Sequence, residues 1–264
     1  MDEYQGSKYF LFRNNTNIRN IGADIHYHSY FEIYCLTEGD CESFVNDKLY
    51  ELEPWDVVVI PPGAIHGTHY KSERHGRVLV NFSSNYVSRS LMEILSNEPY
   101  LLRSADSREE IRRIFSQLEA ETELQDSFSD EAIRALLSRI LIMIVRQARK
   151  TESIVSHESL IETAVKYVHN NYQNPLSLAD IADECNISKV HLSRKFKEKM
   201  GIGLNEYIVI FRLKKAKELL LIKDKLSICE VAYDCGFNDS NYFSSLFKKT
   251  YGVTPSQYRR NKRA

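Results

Sequence analysis

The feature that most constrains this chain is a repeat in its second half. Ala182 recurs as Ala232 and Cys185 as Cys235, at a spacing of 50 residues. After a one-residue slip, Phe196 recurs as Phe247, Lys197 as Lys248, Gly201 as Gly252 and Tyr207 as Tyr258. Self-similarity at a fixed period means one structural unit built twice, and it decides the fold before any single residue does. Each copy has the same grammar. Ser177-Leu-Ala-Asp180 and Ser227-Ile-Cys-Glu230 are capping boxes, in which a serine and an acid three residues on satisfy the free amides of a helix start. A small alanine inside each helix permits close approach of another helix. Asn186 or Gly236 then supplies a residue that tolerates left-handed backbone. A second helix starts at once, capped by Ser188 or by Asn238/Asp239. Helix, tight turn, helix, written twice, predicts two helix-turn-helix units.

Projection at about 100° per residue sorts the second helix of each unit. Leu192, Phe196 and Met200 form the buried face of the first, with Val190, Arg194 and Lys197 roughly opposite. Phe243, Phe247 and Tyr251 are buried in the second, opposite Asn241, Ser245 and Lys248. Arginine and asparagine make two-pronged contacts to guanine and adenine, and an exposed valine suits a thymine methyl. Lysines on the flanks meet phosphates. The candidate DNA-contacting residues are therefore Ser188, Lys189, Val190, His191, Ser193, Arg194 and Lys197 in the first unit. In the second they are Asp239, Ser240, Asn241, Ser244, Ser245 and Lys248. A small helical bundle with a solvated basic face satisfies the same periodicity. Charge separates the two halves of the chain: residues 151–264 hold 18 Lys/Arg against 13 Asp/Glu, whereas residues 1–150 hold 17 against 23. A basic second half fits an anionic partner.

Three segments carry a family resemblance: RLKKAKELL (212–220), SICEVAYDCGF (227–237) and NYFSSLFKKTYGVTPSQYR (241–259). They resemble the AraC/XylS family of bacterial transcription regulators over about Leu160 to Arg260. The resemblance implies two units at the ends of a linking helix, here about Leu204 to Leu221, and RNA polymerase as a partner. Such a helix spans roughly 27 Å at 1.5 Å per residue, against the ~34 Å between successive major grooves, and the width of the units makes up the rest. Many members carry arginine where this chain has Ser245, so the second unit is expected to contribute mainly backbone contacts.

The first half reads differently. EIYCLTEG, DVVVIPPG and RVLVNF are short β-rich runs ending in turn residues. From about Ser107 the period becomes helical. Ile111, Ile114, Phe115 and Leu118 make one stripe; Ile133, Leu136, Leu137, Ile140, Leu141 and Ile144 make a longer one. The second is apolar enough to require cover, from the β-domain or from a second subunit. His26-x-His28-x-x-x-Glu32 is expected on one strand and its turn, sharing a face, and is followed by Pro61-Pro-Gly-Ala-Ile-His66. This order resembles the cupin barrel, although Trp55 or Asp56 replaces the glycine that usually begins the second motif. Three readings stay open. The set His26, His28, Glu32 and His66 is chemically competent for a metal. The same residues could hydrogen-bond the hydroxyls of a small effector, with Tyr34 or Trp55 packing on its apolar face. They could also satisfy one another inside a small barrel. The second reading is preferred, with no metal and no cofactor expected. His69 is expected to extend the pocket, and His157 and His169 to be solvated.

No glycine-rich phosphate loop, GxSxG elbow or paired CxxC is present. The polar, acidic opening MDEYQGSK is unlike a signal peptide, and no apolar run approaches the ~20 residues of a membrane span. Five cysteines without metal-site spacing read as free thiols in a reducing cytoplasm. The expectation is an α+β, two-domain chain: residues 1–105 a cupin-like effector-sensing β-barrel, 106–150 a helical dimerisation segment, 151–159 a linker, and 160–264 an all-α domain with two helix-turn-helix units. Its function is that of a cytoplasmic, sequence-specific regulator, an activator in the family's usual manner. Its partners are promoter double-stranded DNA, a small-molecule effector (a carbohydrate in many relatives) and a second copy of itself, with no membrane. The enzyme alternative, a metal-dependent cupin with a helical appendage, leaves the double repeat without a purpose.

Overall fold

The computed structural model describes residues 10–19, 25–96, 98–103, 107–151, 159–222 and 226–261. The chain divides into two compact units, Asp2–His157 and Glu158–Ala264.

In the first unit, strands β1 (Phe10–Arg19), β2 (Phe31–Glu38), β3 (Cys41–Val45), β4 (Lys48–Leu52), β5 (Val57–Ile60), β6 (His66–Tyr70), β7 (Arg74–Phe82) and β8 (Tyr100–Leu102) form two antiparallel sheets. One has five strands in the order β1-β7-β2-β5-β8, the other three in the order β4-β3-β6. A short helix α1 (Arg89–Leu95) precedes β8, and α2 (Arg108–Leu124) and α3 (Ser129–Thr151) follow it. The apolar runs of β2, β5 and β7 are explained by burial on both faces. With side chains alternating along each strand, Phe31, Ile33, Cys35, Val57, Val59, Val78, Val80 and Phe82 face the helical layer. Tyr34, Leu36, Val58 and Ile60 face inward, where they meet Cys41, Val45, Leu52 and Tyr70 of the smaller sheet. Among the described residues the two sheets are not joined into a closed ring; a bridge between His26 and His66 lies beside them.

The long stripe on α3 is covered by its own sheet. Ile133, Leu137, Ile140, Leu141 and Ile144 belong to the same buried cluster as β2 and β7, together with Ile111, Ile114, Phe115 and Leu118 of α2. That stripe is therefore domain core and not a subunit seam. The expected linker falls mostly on residues 152–158, outside the described residues, as does His157.

The second unit is all helix: α4 (Leu160–Asn171), α5 (Leu178–Glu184), α6 (Lys189–Met200), α7 (Leu204–Ile222), α8 (Ile228–Asp234), α9 (Ser240–Tyr251) and α10 (Pro255–Asn261). Both predicted capping boxes form, at Ser177/Asp180 and Ser227/Glu230. A third, Ser159/Glu162, starts α4. The turns between helices use left-handed Asn186 (φ 54°) and Gly236 (φ 80°), the two residues the repeat singles out. Leu192, Phe196, Met200, Phe243 and Phe247 are fully buried. Among the described residues no helix is long and apolar enough to cross a membrane.

Candidate functional sites

The inward residues at one end of the β-domain form a polar cluster. His26, His28 and Glu32 do not share one strand. His26 pairs with His66 through a two-way backbone bridge, each N–H to the other's carbonyl at 2.9 Å. His28 sits in the segment before β2, and only Glu32 lies on it. The same residues converge nevertheless, because the bridge brings the start of β6 beside the entry to β2.

Glu32 is the centre. Its Oε2 accepts from Asn81 Nδ2 at 2.7 Å and lies 3.3 Å from His28 Nε2, while its Oε1 lies 3.8 Å from His66 Nε2. Burial pushes the Glu32 carboxyl up, but the His28 hydrogen bond, the His66 and His28 rings and the Asn81 amide outweigh it and hold the pKa at about 2. Both histidines are oriented by backbone carbonyls, His28 Nδ1 donating to Tyr30 O at 3.0 Å and His66 Nδ1 to Ala64 O at 2.9 Å. Tyr30 also stacks on the His28 ring at 3.8 Å. Burial drives the His66 pKa down to about 3, only partly opposed by Glu32. With Nδ1 donating to Ala64 O, its Nε2 has no hydrogen-bond partner among the described residues.

Of the other predicted effector residues, Tyr34 is brought inward but is sealed. It is 2% exposed, its hydroxyl donates to Tyr70 Oη at 3.1 Å, and Tyr70 accepts from Arg77 Nη1 at 2.9 Å. Trp55 is not brought to the cluster. It stands in the turn before β5 at φ 78° and packs on the helix layer under Arg112, whose guanidinium carbon is 4.4 Å from the ring centre. His69 does not extend the pocket either. It lies three residues after His66 on β6, so it faces the other way and pairs across the strands with Glu42. Asn81 was missed, yet its signal was legible: it is the polar residue at an inward position of RVLVNF, and it stands directly across from Glu32.

In the second unit, the predicted DNA-contacting faces are open. Val190 is 79% exposed, and Lys189, Ser193, Arg194 and Lys197 are exposed beside it on α6, with His191 half-buried. On α9, Asn241, Ser245 and Lys248 are exposed, and Ser240 and Ser244 are half-buried. Lys197 and Lys248 carry no ion pair among the described residues, whereas Lys195 is held by Glu198 at 3.1 Å. Ser188 and Asp239 are helix caps: Ser188 Oγ accepts from His191 N at 3.2 Å, and Asp239 Oδ1 from Asn241 N at 2.7 Å and Tyr242 N at 3.1 Å. Their side chains are engaged in starting α6 and α9. Tyr242 is also exposed on the first turn of α9.

The turn between α8 and α9 is locked to the linking helix. Arg212 of α7 donates from Nε to Tyr172 O and from Nη2 to Asn174 O, both at 2.8 Å, and Gly236 packs against this pair. His169 is not solvated. It stacks on Phe211 at 4.0 Å and shares a 2.8 Å hydrogen bond with the Tyr207 hydroxyl. Burial, then Lys214 and Lys215, hold its pKa at about 3.

Two family profiles match the chain, the AraC-like ligand binding domain over residues 19–141 and a helix-turn-helix domain over residues 181–261. The HTH-type transcriptional activator RhaR of Mannheimia succiniciproducens is 28% identical over 246 residues, covering 89% of this chain and 86% of that protein. RhaR of Escherichia coli is 25% identical over 248 residues, with the same coverage. Among solved structures, ToxT from Vibrio cholerae is 18% identical over 94% of this chain and 97% of that one, with a TM-score of 0.40. The C-terminal domain of the response regulator yesN from Fusobacterium nucleatum is 36% identical over 37% of this chain and 95% of that one, with a TM-score of 0.35. The effector-domain profile lies over the strands that build the polar cluster, and the helix-turn-helix profile lies over α6 and α9 with their exposed faces. The chain belongs to the AraC/XylS family of DNA-binding transcription regulators controlled by a small molecule.

Proposed function

We propose that this regulator activates transcription as a homodimer in the cytoplasm, contacting RNA polymerase at its promoters, and that its effector is a small polyhydroxylated molecule such as a sugar. The observation that carries the effector reading is the convergence of buried Glu32, Asn81, His28 and His66 with half-buried His26 at one end of the β-domain. Burying these groups costs free energy unless they serve recognition or are fully paired. The RhaR relatives, named as activators, support the sign of regulation. The cluster serves sensing and not catalysis, and the double repeat supplies the output. An effector that prefers one arrangement of the sensing unit shifts the population of DNA-binding states by its differential affinity.

For the homodimer, the outward face of α3 is the candidate surface. Ala135, Ser138, Ile142 and Met143 line a shallow groove there, edged by Glu110 and Arg139. Arg194 of α6 reads a base, while Lys197 of α6 and Lys248 of α9 position the phosphate backbone. The test pairs genome-wide mapping of bound DNA with a thermal-shift screen of sugars and related metabolites. A compound that stabilises the native state should raise the melting temperature of the chain by mass action. It should fail to do so for the His28→Ala, Glu32→Ala double variant. Equal stabilisation of both proteins places the effector elsewhere.

A further inference from the structure

We infer that the inner face of the larger sheet carries an oxyanion subsite at the end away from Glu32, in which Arg77, flanked by Arg13 and Asn15, takes the carboxylate or phosphate group of an acidic effector. The inference deepens the effector reading and rests on it only in taking the interior of the β-domain as the sensing site. It narrows the ligand from any polyhydroxylated molecule to one that carries a negative charge. Arg77 and Asn81 are four residues apart on β7, so the subsite lies about 13 Å along the strand from the polar cluster.

Three observations carry it. The first is the free edge of Arg77, which stands on the inner face opposite Leu36 of β2 and Asn15 of β1. Its Nη1 donates to the Tyr70 hydroxyl at 2.9 Å, and Tyr70 also accepts from Tyr34 at 3.1 Å, so that end of the guanidinium is fixed. The remaining edge, Nε with Nη2, is the side-on fork that matches two oxygens of a carboxylate or phosphate. Nε is buried and has no hydrogen-bond partner among the described residues. A buried donor left unmade costs stability, and native structures rarely keep one without a reason. The second is charge. Residues 1–150 hold more acids than bases, and Arg103, Arg134 and Arg139 each pair with one. Arg77 and Arg13 have no carboxylate partner among the described residues. They share one face: Asn14 donates to Glu119 of α2, so its neighbours Arg13 and Asn15 project from the other side of β1, the inner one. Both are exposed, on the edge strand of the sheet, where a ligand can reach them. The third is His75, two residues before Arg77 on the same face. It is buried against the Tyr70 ring at 3.4 Å, and its Nδ1 is a second unpartnered polar atom in the same place. A neutral hydroxyl would satisfy the Arg77 donor but leave two like charges uncompensated, whereas an oxyanion answers both.

The test uses the full chain with isotopically labelled arginine and follows the Nε–H resonance of Arg77, assigned by its absence from Arg77→Lys. Inorganic phosphate, acetate and glucose are titrated separately, with ionic strength held constant by sodium chloride so that screening does not vary. The expected result is a saturable shift of the Arg77 resonance with phosphate or with acetate, and none with glucose. Which anion binds more tightly separates a phosphate ligand from a carboxylate one. Arg77→Lys, which keeps the charge and loses the fork, and Arg77→Gln should each lose the rise in melting temperature that the anion gives the wild-type chain. Arg13→Gln, at an exposed position, should weaken anion binding about two- to fivefold. An Arg77 resonance that moves no more under either anion than those of the exposed arginines would overturn the proposal without needing any variant. Stabilisation that survives both Arg77→Lys and Arg77→Gln undiminished would also overturn it, by placing the anion elsewhere. The His28→Ala, Glu32→Ala double variant separates the two readings. An anion response kept there, with no metabolite acting through the histidine end, upholds the subsite alone. A metabolite response lost there, with Arg77 silent to both anions, upholds the effector reading alone.

Discussion

Replacing Gly236 with alanine isolates what holds the second helix-turn-helix unit in place. Gly236 has φ 80°, and a Cβ built there would lie 2.2 Å from Tyr172 O and 2.8 Å from Arg212 Nε. The left-handed conformation alone costs an L-residue about 1–2 kcal/mol. The contact with a backbone carbonyl cannot be relieved by rotating a side chain. Either α4's end or α7 must move, at roughly 1–3 kcal/mol for overpacking. Moving them stretches the two Arg212 hydrogen bonds, and losing one charge-assisted bond costs about 1.5–3 kcal/mol. The expected loss is therefore about 3.5–8 kcal/mol, a large share of the ~5–15 kcal/mol typical of a domain. Gly252 is the control, with φ 78° and nothing within 4 Å of its built Cβ. Gly252→Ala should show the conformational cost alone, about 1–2 kcal/mol. Urea denaturation of the full chain, followed by helical ellipticity, reads both. Equal losses for the two variants would refute the argument that the turn is locked to α7 through Tyr172 and Arg212.

Other expectations follow from single contacts. Arg194→Ala should cost about 1–3 kcal/mol on the specific site and relax preference at one base pair, while Lys248→Ala weakens specific and random DNA alike and lowers the salt slope by about one counterion. Ser245→Ala should cost less than Arg194→Ala, and binding to single-base operator variants at two salt concentrations decides; a uniform loss for Arg194→Ala would make it a phosphate contact. Leu137→Ala, at a fully buried position, should destabilise the first unit by about 3–5 kcal/mol. Ile142→Glu, on the outward face of the same helix, should leave the unit folded and shift sedimentation towards monomer; an unchanged dimer would move the interface elsewhere. The His169 pKa in the folded chain, about 3, lies below the ~6.5 of an unfolded histidine. Its contribution to stability is thus fully present above the unfolded value and is lost as pH falls towards 3. Thermal unfolding between pH 7.5 and 5 should show a steeper decline for the second unit than in His169→Phe.

The repeat was legible because its signals are local. Ser177, Asp180, Asn186, Ser188 and their counterparts act within one turn of chain, so caps and stops can be read without the fold. The polar cluster was legible as a set of residues but not as a geometry. His26 reaches His66 through a backbone bridge between distant segments, and a period-two projection cannot supply that. Trp55 was misplaced because its side chain follows a left-handed turn, which sends it to the helix layer. The α3 stripe was read correctly as apolar, yet periodicity records only that a face is covered. His169 looked like an isolated polar residue because its partners, Tyr207 and Phe211, lie about forty residues on.

The 19-residue α7 shows no single apolar stripe, and the reason has a consequence for operators. Leu204, Tyr207, Ile208 and Phe211 are buried near its start, where Phe196 of α6 meets Tyr207. Leu213, Ala216 and Leu220 are buried near its end, in the core shared with α8 and α9. At 100° per residue the two sets face directions about 170° apart. The helix is thus a shaft with one reading head keyed to each side, and the number of residues between the keys sets their phase. Inserting one alanine between Phe211 and Leu213 would turn the second head by about 100° and advance it by about 1.5 Å. The turn would break the packing of Gly236 and Arg212 on Tyr172 that ties the two heads together, and the heads would fall out of step with the ~10–10.5 base-pair turn of DNA. The spacing of the half-sites this protein accepts is written into the chain as an integer.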